Sequence, residues 1–260
     1  MLKGLESLYA KYNRKRYVHP DPLEFLYAFA DPSDRELVAL ISACLAYGRV
    51  HQILKGIRAC LDIMGNCPRR FLLSSNESSL AMAFAGFNYR FTRGHEMARF
   101  MTGLKRAIER HGNLEAVFSA APDATGAQGT ISRLKKGVDE LLSLAGLPRS
   151  YLLPDPAKKS ACKRLFLFLR WMVRADRVDP GGWSAISPAD LVIPLDTHMF
   201  HIATDLGLTS RKQANLATAL EITRAFARLS PSDPVKYDFV LTRFGIRDEL
   251  SRDDVVTHLG

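Results

Sequence analysis

The feature that most constrains this chain is the segment 160–173, SACKRLFLFLRWMV. Leu165 to Leu169 are consecutive apolar residues, and Trp171, Met172 and Val173 follow after a single arginine. Coiled as a helix, the segment is apolar on nearly all sides, and such a helix belongs at the centre of a helical domain. Its interruptions sit at the ends. Arg170 and Arg174 near the C-terminus suit the helix macrodipole, whereas Lys163 near the start opposes it.

The rest of the chain keeps the same period. In 34–60, Leu37, Leu40, Ile41, Cys44, Leu45, Ile53, Leu54 and Ile57 follow three- and four-residue steps. The preceding D-P-S-D offers Ser33 or Asp34 as N-cap, and the A-Y-G-R step at 46–49 divides the stretch into two helices. Further helices are expected at 96–110, 113–120, 130–145, 160–173, 197–206, 210–229 and 234–244. Gly- and Pro-bearing connectors separate them at 64–69, 121–129, 146–156, 176–188 and 230–234. No alternating pattern persists, so the expected fold class is all-α.

The net charge is +9, which favours an anionic partner, most often nucleic acid. The window 149–177 holds eight basic residues against Asp155 and Asp176, while 183–260 is slightly acidic. That asymmetry fits a one-sided basic surface, and a solvated helix face would look the same. Cys44, Cys60, Cys67 and Cys162 form no C-x-x-C pair, so they read as reduced structural thiols, with no metal and no cofactor expected. No apolar run is long enough for a membrane span, and the opening residues lack the apolar core of a secretion signal. The expectation is a cytoplasmic, nucleoid-associated monomer with no membrane partner.

Two side chains stand out for chemistry. With Ser160 as N-cap, Lys163 falls near the third helical position, where free N–H groups disfavour an ammonium and favour the neutral amine of a nucleophile. A lysine snorkelling to solvent fits the same position. The second is Asp196 in I-P-L-D-T-H-M-F-H, which on structural grounds reads as a helix N-cap. His198 and His201 sit one turn apart, but without a third ligand they read as polar or DNA-facing residues rather than a metal pair. Lys158, Lys159 and Arg164 are the basic residues nearest Lys163 in sequence; each is a candidate phosphate contact or a plain surface charge. Tyr47 and Arg49, with Tyr89, Arg90 and Phe91, mix rings and guanidinium groups in a way that suits base stacking or merely a core edge. Trp171 and Trp183 read as core, and Asp238 as a supporting hydrogen-bond group or a helix-start carboxylate.

The segment P-L-D-T-H-x-x-x-x-x-x-x-L-G-L resembles the V-D-T-H region of the helix-hairpin-helix DNA glycosylases, the endonuclease III superfamily. LVALISACLAYGRVHQI is similar to that superfamily's early helix, and VKYDFVLTRFGI to its late one. The usual Gly-hydrophobic-Gly hairpin with a lysine just after it is absent. In the archaeal GO glycosylase branch the lysine instead leads an apolar helix further upstream, and Lys163 precedes Asp196 by a similar 33 residues. The chain also resembles an uncharacterised bacterial family (DUF2400-like) marked by K-R-L-x-L-F-L-R-W-M-V-R and I-P-L-D-x-H.

The superfamily likeness implies two all-α lobes around a cleft, one spanning 34–182 and the other 1–33 with 183–260, with Lys163 and Asp196 facing each other across it. It implies a base-excision DNA glycosylase with AP-lyase activity, whose catalytic residues are Lys163 and Asp196. The partner implied is double-stranded DNA with a damaged base, an oxidised purine such as 8-oxoguanine. Lys158, Lys159, Arg164, His198 and Arg49 are the expected nucleic-acid contacts. No iron–sulfur cluster is expected, because no cysteine follows Cys162. A non-catalytic nucleic-acid-binding protein of the same fold is the alternative.

Overall fold

The computed structural model describes residues 1–120 and 124–259, and its described residues are mostly helical. The connector expected at 121–129 lies partly outside them. The helices are α1 (Leu2–Tyr12), α2 (Pro32–Leu45), α3 (Val50–Met64), α4 (Pro68–Ser74), α5 (Glu77–Ala83), α6 (Gly94–His111) and α7 (Leu114–Ser119). They continue as α8 (Gly126–Leu144), α9 (Lys163–Val173), α10 (Thr197–Asp205), α11 (Leu216–Ala227), α12 (Asp238–Ile246) and α13 (Arg252–Leu259). Two short antiparallel strands, β1 (Asn88–Tyr89) and β2 (Thr92–Arg93), precede α6. No helix among the described residues is long and apolar enough to cross a membrane.

The chain divides into two compact units, and their boundaries differ from those implied by the superfamily likeness. One unit comprises Met1–His19, Ala124–Thr130 and Pro156–Gly260; the other comprises Pro20–Asp123 and Ile131–Asp155. Lys163 and Asp196 therefore fall within a single unit rather than in separate ones. Helix α9 groups with the segments that follow it: Phe168 meets Trp183, and Arg170 and Arg174 bind Asp176, Asp179, Asp233 and Asp238.

The second unit is organised around α2. Asp31, not Ser33 or Asp34, caps this helix, accepting from the Ser33 N–H at 2.8 Å, with Pro32 preset in the first turn. Freed from capping its own helix, Asp34 accepts from the Arg69 N–H at 2.7 Å, and Glu36 accepts from the Leu114 N–H at 2.9 Å. Two carboxylates of one buried helix thus satisfy open N–H groups at the starts of α4 and α7, where the helix dipole also favours them. The break after α2 is sharp because Gly48 has φ +104°, a conformation side-chain-bearing residues rarely take.

In the first unit, Leu165, Phe166, Phe168, Leu169, Trp171 and Met172 of α9 are all buried, as an all-apolar helix requires. Trp183 also lies in the core, edge-on to Phe168 with ring centroids 5.0 Å apart. The turn beyond α9 folds back on it: the Gly181 and Trp183 N–H groups donate to the carbonyls of Trp171 and Met172 at 3.0 and 2.9 Å. This pairing satisfies carbonyls that the helix end would otherwise leave open.

Arg170 and Arg174 do not point to solvent. Both are nearly inaccessible, and together they bind Asp176, Asp179, Asp233 and Asp238. The one-sided basic surface expected of the window 149–177 is reduced by these two charges. All four cysteines lie outside disulfides; Cys44, Cys60 and Cys162 are buried.

Candidate functional site

Lys163 is the first residue of α9, not the third. The residue before it, Cys162, takes a left-handed conformation (φ 50°, ψ 27°) and occupies the N-cap position in place of Ser160. Ser160 instead bridges Asn215, and the Leu216 N–H donates to the Lys159 carbonyl at 3.1 Å. The basic stretch ahead of α9 is thereby tied to the start of α11, while Lys158 and Lys159 remain exposed. Arg211 and Lys212, which the sequence reading did not single out, lie just before that start; Arg211 pairs with Glu221.

Asp196 is the N-cap of α10, accepting from the Met199 N–H at 2.8 Å through Oδ1. Its other oxygen, Oδ2, lies 3.3 Å from Lys163 Nζ. One carboxylate therefore orders a helix start and meets the lysine. The lysine side chain is 34% exposed and the aspartate 16%, so the pair sits at an accessible rim with its carboxylate largely enclosed. A primary amine beside a carboxylate, with access from outside, is a pairing that amine nucleophilic chemistry uses.

His198 follows Asp196 on α10 and is half-buried. Its imidazole packs on Gly245 of α12 so closely that a Cβ there would stand 2.4 Å from Nδ1. Burial holds this histidine below its ordinary titration range, with Lys163, Arg243 and His201 pushing the same way against the attraction of Asp196. The ring is thus neutral near pH 7, which argues for packing and polar contact rather than a charge on phosphate. His201 is exposed, and no cluster of three metal-ligating side chains occurs among the described residues.

Behind the pair lies the buried ionic group. Arg170, two helical turns after Lys163 and so on the same face of α9, donates to Asp179 Oδ1 from Nε at 3.1 Å and from Nη2 at 2.9 Å. Its Nη1 binds Asp238 Oδ2 at the start of α12. Asp238 Oδ1 has no hydrogen-bond partner among the described residues. Burial pushes the Asp238 carboxyl up to about 6, and Asp196 and Asp179 add to the rise against the pull of Arg170. Asp238 is therefore both a helix-start carboxylate and the ionic tie between α9 and α12. Nothing local in the sequence marks the partnership, because Arg170 is 68 residues away.

Arg164 is half-exposed, adjacent to Lys163. Arg49 is exposed but belongs to the other unit, where it stands at the N-cap position of α3.

The family model described as "Protein of unknown function (DUF2400)" matches residues 21–247, which include α2 to α12 and both members of the Lys163–Asp196 pair. The chain belongs to this family. No curated protein matches it, and no solved structure does. The DUF2400 match thus covers the segments K-R-L-F-L-F-L-R-W-M-V-R and I-P-L-D-T-H that carry the site.

Proposed function

We propose that this DUF2400 protein is a DNA base-excision glycosylase with AP-lyase activity, related to the helix-hairpin-helix superfamily. The observation that carries the reading is the 3.3 Å approach of Lys163 Nζ to Asp196 Oδ2 at an accessible helix start. The substrate class is duplex DNA with a damaged base flipped out of the stack, an oxidised purine such as 8-oxoguanine. Lys158, Lys159 and Arg164 supply phosphate contacts beside the pair.

The chemistry uses groups the site holds. Asp196 takes a proton from the Lys163 ammonium, and the free amine attacks C1′ of the extruded nucleotide. The C1′–N bond breaks, and its electron pair leaves with the base, which picks up a proton. Opening of the sugar ring converts the amine adduct to an iminium at C1′. Loss of a C2′ proton then expels the 3′-phosphate by β-elimination, and water hydrolyses the iminium to regenerate Lys163. Asp196 also counters the positive charge that develops on the sugar.

A second reading, a non-catalytic nucleic-acid-binding protein, is favoured by the lack of the usual hairpin in the sequence. Strand nicking separates the two. Wild-type protein is expected to nick duplexes carrying 8-oxoguanine or an abasic site, and Lys163→Ala is expected to bind the same duplexes without nicking them. Salt-sensitive binding with no nicking of either duplex supports the second reading.

A further inference from the structure

We propose that the DUF2400 unit spanning Pro20–Asp123 and Ile131–Asp155 carries a stacking platform for unpaired nucleobases, built from Phe91 and Tyr151 on a Tyr47–Tyr89 base. The proposal rests on the nucleic-acid reading above and adds a second site to it, with unstacked single strand as its ligand.

Three loops of this unit converge there. Phe91 is 61% exposed and Tyr151 48%, and their ring centroids are 5.1 Å apart. Tyr151 in turn meets Tyr47 at 4.8 Å, and Tyr47 meets Tyr89 at 4.9 Å. The Phe91–Tyr151 contact is edge-to-face, so neither ring covers both faces of the other. Side by side, the two rings form an exposed apolar patch, and such a patch rimmed by polar residues marks an interaction site.

The base of the platform is rigid. Tyr47 Oη is 2.8 Å from Thr92 Oγ1 and donates to the Tyr89 carbonyl, while Tyr89 Oη donates back to the Tyr47 carbonyl. Tyr89 packs against α3 at Gly56, where a Cβ would come within 2.6 Å of the ring. Between the strands, Arg90 is held at φ 49°, which turns the hairpin tip so that Phe91 faces outward. Its guanidinium stands 5.6 Å from the Phe91 ring centroid and 5.9 Å from that of Tyr47.

Charge selects the occupant. The three segments 47–51, 88–93 and 148–151 contain Arg49, Arg90, Arg93 and Arg149 and no carboxylate. An apolar protein surface, or the same patch on a second copy of this chain, gives it no counter-charge. A strand with exposed bases supplies π-faces for the rings and phosphates for the guanidinium groups together. A closed duplex offers the phosphates but not the faces.

The test uses the full chain and a short single-stranded oligonucleotide containing 2-aminopurine, with the same sequence annealed to its complement as comparison. The single strand is expected to bind more tightly than the duplex, with 2-aminopurine emission quenched by stacking. Phe91→Ala and Tyr151→Ala are each expected to weaken single-strand binding by about ten-fold or more. Phe91→Trp is expected to bind at least as well as wild type and to lose indole emission on binding.

Alanine variants with wild-type affinity, duplex bound as tightly as single strand, or unquenched 2-aminopurine would each overturn the platform. If an alanine variant does not fold, the Phe91→Trp emission decides alone. Quenching without any nicking of damaged duplex leaves the platform standing and removes the glycosylase reading; nicking that coexists with unquenched 2-aminopurine does the reverse.

Discussion

Replacing Arg170 with Met exposes how the candidate site is supported. Arg170 is 3% exposed and holds three of the hydrogen bonds that join α9 to Asp179 and to Asp238 at the start of α12. Methionine fills most of its volume but leaves Asp238 buried with no counter-ion and Asp179 dependent on Arg174 alone. Removing one partner of a buried pair costs about 3–5 kcal/mol, a large fraction of the roughly 5–15 kcal/mol by which a domain is stable.

The loss depends on pH. Burial raises the folded Asp238 carboxyl to about 6, against an ordinary value of about 4 when unfolded. A group raised in this way contributes its full stability below the unfolded value and loses it as pH rises through the folded one. Without Arg170 the carboxyl holds its proton more strongly still, so the variant's deficit widens from pH 5 to pH 8. The assay is urea unfolding followed by circular dichroism at both pH values. Arg170→Met combined with Asp238→Asn is expected to recover part of the deficit at pH 8, because the orphaned charge is gone. A deficit below about 1 kcal/mol at pH 8, or one that does not grow with pH, would mean that Arg170 does not hold the buried Asp238 charge.

Asp196→Asn keeps the N-cap acceptor for Met199 and is expected to change stability by a few tenths of a kcal/mol, whereas Asp196→Ala is expected to cost about 1 kcal/mol; both are expected to lose nicking, and thermal melts beside the nicking assay separate the two roles. Gly245→Ala places a methyl group against His198 and is expected to destabilise the first unit by about 1–3 kcal/mol, with His198→Ala relieving much of it in a double-variant unfolding cycle. His198 titrates below its ordinary value, so the stability linked to it is present above about pH 6.5 and lost as pH falls through the lower folded value; melting temperatures from pH 7.5 to 5 are expected to fall more steeply in wild type than in His198→Gln.

The helices that can be read in the sequence are those whose apolar period is long or whose caps are local. Helix α9 announces itself by composition, and Asp196 by its place ahead of an apolar turn. Other boundaries depend on distant partners. The helix expected at 210–229 begins only at Leu216, because Asn215 caps it and pairs with Ser160. The hairpin at Asn88–Arg93 has two-residue strands, too short to show any alternation. Arg170 and Arg174 have the positions of ordinary C-terminal helix cations; only the fold brings Asp179, Asp233 and Asp238 to them. The site divides in the same way. Lys163 could be nominated from its place at a helix start and Asp196 from the likeness to the glycosylases, but the packing of His198 on Gly245 and the burial of Asp238 depend on how α12 meets α10 and α9.

The most direct measurement is borohydride trapping on duplexes carrying 8-oxoguanine, an abasic site or no lesion, followed by mass mapping of the adduct. A covalent adduct on Lys163 is expected, one that requires a lesion or an abasic site and vanishes in Lys163→Ala. An adduct that persists in Lys163→Ala, or no adduct on any duplex, would remove Lys163 as the nucleophile.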